Sequence, residues 1–369
     1  KPQILEVITD LSQLPLLLKL MSICPLADIA FEHLLRGLRA SLLLSISDLT
    51  GSPEVLNFQS ALALQCFTNE YIYNTAQNED KALTALDEAV KQTLSAGVQP
   101  SSQSILCLAS YKPINHYEWS SLLLINEEIR EVFTRQVTEP NQESALKTVL
   151  PRLEKITDKV SSKVKEQYEA SPYPRWVNLG LSLEPAPIFK VINKIKLKLF
   201  DKKIIELESP NILIAGCGTG QHSMETAVRF QGSKVLAIDL STSSLSYAKR
   251  KTEEFGIQNI DYMQADILDL GKLDKQFDIV ESVGVLHHMG DPVAGWRVLA
   301  DCLQPGGLMK IGLYSELARQ QIVKMRQEIS KMGVGISDND MKSFRARVIN
   351  SDQDHHIKIL NSNDFYSLS

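Results

Sequence analysis

The residues best placed to do chemistry lie in one short run, "NILIAGCGTGQHS" (211–223), and at two acids downstream of it. Gly216, Gly218 and Gly220 follow an apolar stretch at alternate positions. A glycine inside regular structure costs about 0.5–1 kcal/mol relative to alanine, so three together mark a backbone that turns sharply and is approached closely. Asp239 comes 23 residues past Gly216, near the end of the apolar run "KVLAIDL". An acid at that distance can accept both hydroxyls of a ribose. Asp266, in "QADI", follows the next apolar run, where it can accept from an adenine amino group with Ile267 against the ring. Taken singly, either acid is more often a helix cap or a turn residue. Together, after such a loop, they read as a nucleoside site. Gln221 stands where a dinucleotide fold has its third glycine, and no lysine follows the glycines as in a P-loop. The ligand expected is an adenosine without a pyrophosphate.

Such a constellation needs a frame. From 211 onward strands and helices alternate: "NILIAG", "KVLAIDL", "IDYMQAD", "FDIVESVG" and "GGLMKIGLY" as strands, with helical spacing between them. Continuous apolar strands alternating with helices predict an α/β, Rossmann-like parallel sheet covered on both faces. Upstream the texture is helical. "IAFEHLLRGLRASLLL" (29–44) and "VLNFQSALALQCFTNEYIY" (55–73) repeat apolar residues near a 3.6 period. "DKALTALDEAVKQTL" and "SALKTVLPRLEKITDKVSSKVKEQY" read as further amphipathic helices, with Pro151 a start or kink. Breaks are expected at "TGSPE", "AGVQPSSQ" and "TEPNQE". Pro172, Pro174 and Pro185 end the preceding helix. The division predicted is a mainly α-helical domain over 1–205, a sheet domain over 206–315 and a partial helical segment over 316–369.

Bulk properties narrow the partners. A net charge of −5 supplies no basic field for nucleic acid, although "KVINKIKLKLFDKK" (190–203) is locally basic. No apolar run approaches the 18 residues of a membrane span. The start, "KPQILEVITD", lacks the apolar core of a signal peptide. Lys1 is not an initiator Met, and the chain is expected to be a fragment. Five cysteines, none at CxxC spacing, predict buried thiols in a reducing cytoplasm rather than disulfides or zinc. His355 and His356 in "DQDHHIK" lack a partner at ligand spacing, so they read as a polar loop and no metal is expected. The leucine-rich stretch 14–26 reads as core or dimer interface.

In this order the motifs resemble the class I S-adenosylmethionine-dependent methyltransferases. "ILIAGCGTG", "VLAIDLS", "QADILDL", "FDIVESVGVLHHM" and "LQPGGLMKIGLY" are similar to the family's five motifs, over about 105 residues. The resemblance implies that Gly216, Cys217, Gly218 and Gly220 meet the methionine moiety of S-adenosylmethionine, Asp239 the ribose, and Asp266 with Ile267 the adenine, with Ala215 and Leu240 also in the cofactor site. Glu281 and Ser282 would border the sulfonium. The family's sheet ends in an antiparallel hairpin, which residues 316–369 do not supply, so five parallel strands are expected. A narrower resemblance rests on "QYEASPYPRW", "LALQCFTNEYIY", "GVLHHMGDPVAGWRVL" and "IGLYSELARQ". These are similar to a bacterial methyltransferase module often found with tetratricopeptide repeats and shared by rickettsial protein-lysine methyltransferases. It implies a possible homodimer through the helical region.

Methyl transfer from a sulfonium is positioning work: a nucleophile is held in line with the C–S bond and water is shed. A lysine acceptor must also lose a proton from an amine of reference pKa about 10.4. His287 and His288, past the fourth strand, are candidate bases. Tyr173, Arg175 and Trp176 in "SPYPRW" are candidate lid residues, with Arg175 pairing the cofactor carboxylate and the rings facing a cation; Tyr168 is a further one. The expected function is methyl transfer to protein lysines. The competing readings are a small-molecule acceptor and a non-catalytic interaction module.

Overall fold

The computed structural model describes residues 2–49, 51–181, 184–335 and 337–368. In chain order its first helices are α1 (Pro2–Ser12), α2 (Pro15–Ile23), α3 (Ile29–Leu44), α4 (Pro53–Thr68), α5 (Gln77–Ser95), α6 (Ser102–Ala109), α7 (Arg130–Phe133), α8 (Glu139–Val149), α9 (Lys159–Ala170) and α10 (Ile188–Lys194). Then strands and helices alternate as β1 (Asn211–Ala215), α11 (Gln221–Arg229), β2 (Lys234–Asp239), α12 (Thr242–Glu254), β3 (Ile260–Gln264), β4 (Phe277–Val283), α13 (Pro292–Asp301) and β5 (Leu303–Gly312). Three helices follow: α14 (Gln320–Met332), α15 (Asp338–Ile349) and α16 (Asp354–Ile359). The chain folds as two compact units, one of residues 1–140 with 319–369, the other of residues 141–318.

In the helical unit Asp28 caps α3 by accepting from the Phe31 amide at 2.9 Å, and Ser52 with Pro53 opens α4. α4 is apolar almost all round because it is buried on two sides. Phe58, Leu62 and Cys66 pack with Ile8, Met21, Leu35 and Leu42, while Ala63 and Leu64 pack with Leu94, Leu106 and Val132. α15 joins this unit through charge. Arg345 donates to both carboxylate oxygens of Glu32 on α3, at 2.7 and 2.5 Å, and to the Phe365 carbonyl at 2.8 Å. Glu32 is only 3% exposed and Arg345 8%, so neither charge has water as a substitute partner.

In the other unit five parallel strands order as β3-β2-β1-β4-β5, as the sequence predicts. Period-two alternation sends Ile212 and Ile214 to one face, against Ala227, Leu245 and Ala248, and Leu213 and Ala215 to the other, with Leu286 and Leu299. α11 and α12 therefore cover one face and α13 the other. Sequence order reverses between β1 and β4, which opens a crevice at their carboxyl ends.

Three boundaries differ from the sequence reading. The expected break at "TEPNQE" is continuous helix, running from α7 through a π-helical turn at Thr134–Thr138 into α8. Pro140 follows closely on the π-helical turn, where the backbone hydrogen-bond pattern is already irregular and its missing N–H interrupts it least. The helix expected across Pro151 is instead interrupted. Residues 150–153 run beside β3, where Gln264 donates to the Pro151 carbonyl and Leu153 donates to that of Gln264, both at 2.9 Å. The domain division at 205 also shifts. Leu150, Ile188, Ile192 and Ile204 pack into the sheet's core, so α9 and α10 belong with the sheet, while 319–369 packs with 1–140.

Arg345→Ala would strand the Glu32 carboxylate in a buried site. A loss of about 3–5 kcal/mol in unfolding free energy is expected from denaturant titration. A loss below about 1 kcal/mol would reduce the pair to the weight of a surface bridge.

Candidate functional site

The glycine loop is held by what surrounds it. Gly216 and Cys217 both donate to the Ile238 carbonyl at 2.9 Å, bending the chain over the end of β2. Gly216 (φ +79°) and Gly220 (φ +89°) occupy left-handed backbone. A Cβ at Gly216 would lie 2.3 Å from Val285, and one at Gly220 would lie 2.6 Å from Ala248 on α12. Both positions are closed to any side chain. A Cβ at Gly218 would meet only the Tyr173 carbonyl, at 3.6 Å, so its open side faces a cavity.

That cavity, of about 530 Å³, lies at the carboxyl ends of β1, β2 and β4. Asp239 is in its wall. One carboxylate oxygen accepts from the Gly218 amide at 2.8 Å and the other from Ser241 at 2.9 Å. Burial pushes the Asp239 carboxyl above the ordinary range, against these backbone hydrogen bonds. Farther along are Leu240, Ala265, Asp266 and Ile267. Asp266 caps the turn after β3, accepting from the Leu268 amide at 3.0 Å. The cavity wall also carries Tyr168, Tyr173, His288, Met289 and Tyr314.

Not every candidate reaches this space. Cys217, Gly216, Gly218, Asp239, Leu240, Asp266, Ile267, Tyr168, Tyr173 and His288 line it; His287, Trp176, Arg175, Ala215, Glu281, Ser282 and Gly220 do not. His287 and His288 follow each other in a tight 3-10 turn, and of the two only His288 lines the cavity. The His287 ring packs 4.1 Å from Tyr314 and 4.3 Å from His288, centroid to centroid. Trp176 is no lid. Its indole is buried behind the loop, donating to the Thr219 carbonyl at 3.2 Å and packing edge-on against Tyr247 at 6.0 Å. Thr219 in turn donates to the Pro174 carbonyl at 2.7 Å, so the "YPRW" segment clasps the glycine loop from outside. Gly220 packs against α12, and Ala215 and Ser282 serve the sheet, the Ser282 hydroxyl donating to the Ala215 carbonyl at 3.0 Å.

Glu281 points into the protein. It meets His222 Nε2 at 2.5 Å, accepts from the Thr226 hydroxyl at 3.0 Å and has Lys310 Nζ at 3.6 Å. Burial would raise its pKa, but His222, Lys310 and Thr226 together hold it below the usual carboxylate range. His222 and Lys310 line the cavity, and the sequence reading missed both. His222 was visible in "GQHS", two residues past the last glycine. Lys310 was not, because it reaches Glu281 only through the β4–β5 register, where the two are paired.

α9 is tied to the site by Glu169. Its carboxylate accepts from the Ser241 and Thr242 hydroxyls, at 2.9 and 2.5 Å, and from the Ser243 amide at 3.1 Å, which sets Tyr168 beside Asp239. Partial burial pushes the Glu169 pKa up, yet the hydrogen bonds from Thr242, Ser243 and Ser241 outweigh it and the net shift is downward.

A family model described as a methyltransferase domain matches residues 212–307. An uncharacterized protein of Synechococcus is 36% identical over 126 residues, covering 34% of this chain and 30% of that protein. A ubiquinone biosynthesis O-methyltransferase of Marinobacter nauticus is 35% identical over 121 residues, covering 32% of this chain and 49% of the other. Among solved structures, PKMT2 from Rickettsia typhi is similar at 19% identity and a TM-score of 0.36, over 52% of this chain and 37% of that one. The chain thus spans half or less of the length of these proteins.

Two outcomes follow from the supports of the loop. Trp176→Ala removes a buried indole and is expected to cost about 3–5 kcal/mol of stability; a near-neutral result in thermal unfolding would place the indole outside the loop's support. Glu169 has a lowered folded pKa, so its contribution is present above the unfolded value near 4.5 and is lost as pH falls through the folded one. The stability advantage of the native chain over Glu169→Gln should therefore hold at neutral pH and vanish in acid. A pH-independent difference would assign the effect to shape rather than charge.

Proposed function

We propose that the sheet unit, a class I S-adenosylmethionine-dependent methyltransferase domain, transfers methyl groups to protein lysine side chains presented at the aromatic wall of its cavity. The observation that carries the assignment of the site is the Asp239 carboxylate, fixed between the amides of Gly218 and Ser241 in the cavity wall. Each of its oxygens accepts one backbone N–H and keeps capacity for a second donor, which suits the two hydroxyls of a ribose. Asp266 and Ile267 would take the adenine, and the open side of Gly218 leaves room for the methionine portion. When bound there, S-adenosylmethionine supplies an already activated methyl group.

What remains for the chain's own residues is orientation and proton removal. Tyr168, Tyr173 and Tyr314 give the acceptor end three aromatic faces, which favour the stem and cationic head of a lysine. Burial first, then the negative charge of Asp239, pushes the Tyr168 hydroxyl up, so it stays neutral at physiological pH and acts as a hydrogen-bonding group. His288 in the same wall is the candidate proton acceptor. Confinement among apolar and aromatic groups lowers the cost of deprotonating an incoming ammonium. The resemblance to protein-lysine methyltransferases supports this acceptor.

A small molecule bearing a hydroxyl is the second reading. The name of the Marinobacter relative supports it, and the same His288 would serve as base for an oxygen nucleophile.

Asp239→Ala should weaken S-adenosylmethionine binding by about 1–3 kcal/mol in titration calorimetry, since buried ribose hydroxyls lose their acceptor; unchanged affinity in a folded variant would move the ribose elsewhere. For the acceptor, labelled methyl from the cofactor is offered to mixed bacterial proteins and, separately, to phenolic small molecules. Label on lysine in the first arm supports the first reading. Label confined to the phenols overturns it in favour of the second.

A further inference from the structure

Outside the cavity, three side chains with metal-binding chemistry converge in the helical unit: Glu328 on α14, and His355 and His356 on α16. From these we infer a zinc site that fastens α16 to α14.

The sequence reads the two histidines as a polar loop. They stand instead on a helix, and His356 is fully buried. The partner missing from the local sequence is Glu328, 27 residues before His355. One oxygen of Glu328, Oε2, lies 2.8 Å from His356 Nε2 and 3.3 Å from His355 Nε2. All three donor atoms fall within 4.8 Å of one another. Zinc bonds of about 2.0–2.1 Å to imidazole and carboxylate put the edge of a tetrahedron at about 3.3 Å, and the two Glu328–histidine separations lie within about 0.5 Å of that. Two neutral imidazoles and a carboxylate are a donor set that suits zinc, with water as the fourth ligand. The other Glu328 oxygen faces Arg347 Nε at 3.7 Å, an outer contact that orients the carboxylate without occupying Oε2. His356 Nδ1 is buried without a hydrogen-bond partner among the described residues. A proton carried there leaves the Nε2 lone pair for the metal. The apolar cluster of Met325, Val348 and Ile359 adjoins the site, so the ligands are held on packed helices.

The test uses the full chain, stripped with a chelator and then titrated with Co(II) and Zn(II). Expected are the visible d–d absorption of a tetrahedral Co(II) site saturating at about one ion per chain, displacement by Zn(II), and a higher melting temperature with zinc. His356→Ala could disturb folding because the ring is buried, so the deciding variants are His355→Ala and Glu328→Gln. Each should keep the native circular dichroism and bind Co(II) at least about 10–100-fold more weakly. Absence of the absorption band in the native chain overturns the site. Equal affinity in both variants also overturns it, by showing that the ion sits elsewhere.

Discussion

The hydrogen bond from the Gly218 amide to the Asp239 carboxylate ties the turn after β1 to the end of β2, and the rest of the site is arranged around it. It forms only because the two strands run parallel and in register, Ala215 opposite Ile238. A one-residue slip would turn every side chain to the opposite face and carry Asp239 away from the loop. Glycine at 216 and 220 is what lets the backbone pass between Val285 and Ala248 at all. Packing and ligand geometry are thus the same constraint here. The turn is tight because the helix and the neighbouring loop crowd it, and its crowded path aims an open Gly218 at the cavity.

Charge is handled in the two units by one rule: a buried carboxylate is given a specific partner. Glu32 has Arg345, and Glu281 has His222, Thr226 and Lys310. Each partner lies far away in sequence, so each pair closes a long loop and fixes how distant elements meet. Asp239 is handled differently. Backbone amides are its partners among the hydrogen bonds described, and burial leaves its charge under-compensated. Perturbed acids in clefts of this kind cluster at functional positions, and a ligand that donates two hydroxyls would complete its coordination.

The "YPRW" segment illustrates how a correct residue can be given the wrong task. Tyr173 reaches the cavity, whereas Trp176, three residues on, packs behind the glycine loop instead of forming the expected lid. Aromatic character and position beside the sheet were readable in the sequence. Which side of the glycine loop the indole would occupy depended on Tyr247, Phe255 and Met224, which together make the pocket that receives it.

By itself the sequence determined the alternation of strands and helices, the five parallel strands, the glycine turn and the two acids at successive strand ends. These are local signals: the apolar period, capping residues and glycines that a turn demands. Tertiary structure alone decided the pairing of Glu281 with Lys310, of Glu32 with Arg345, and of Glu328 with two histidines it precedes by 27 and 28 residues. It also decided that His288 rather than His287 faces the cavity. Such contacts are set by strand register and helix packing, which depend on side chains far away in sequence, so no local pattern of residues encodes them.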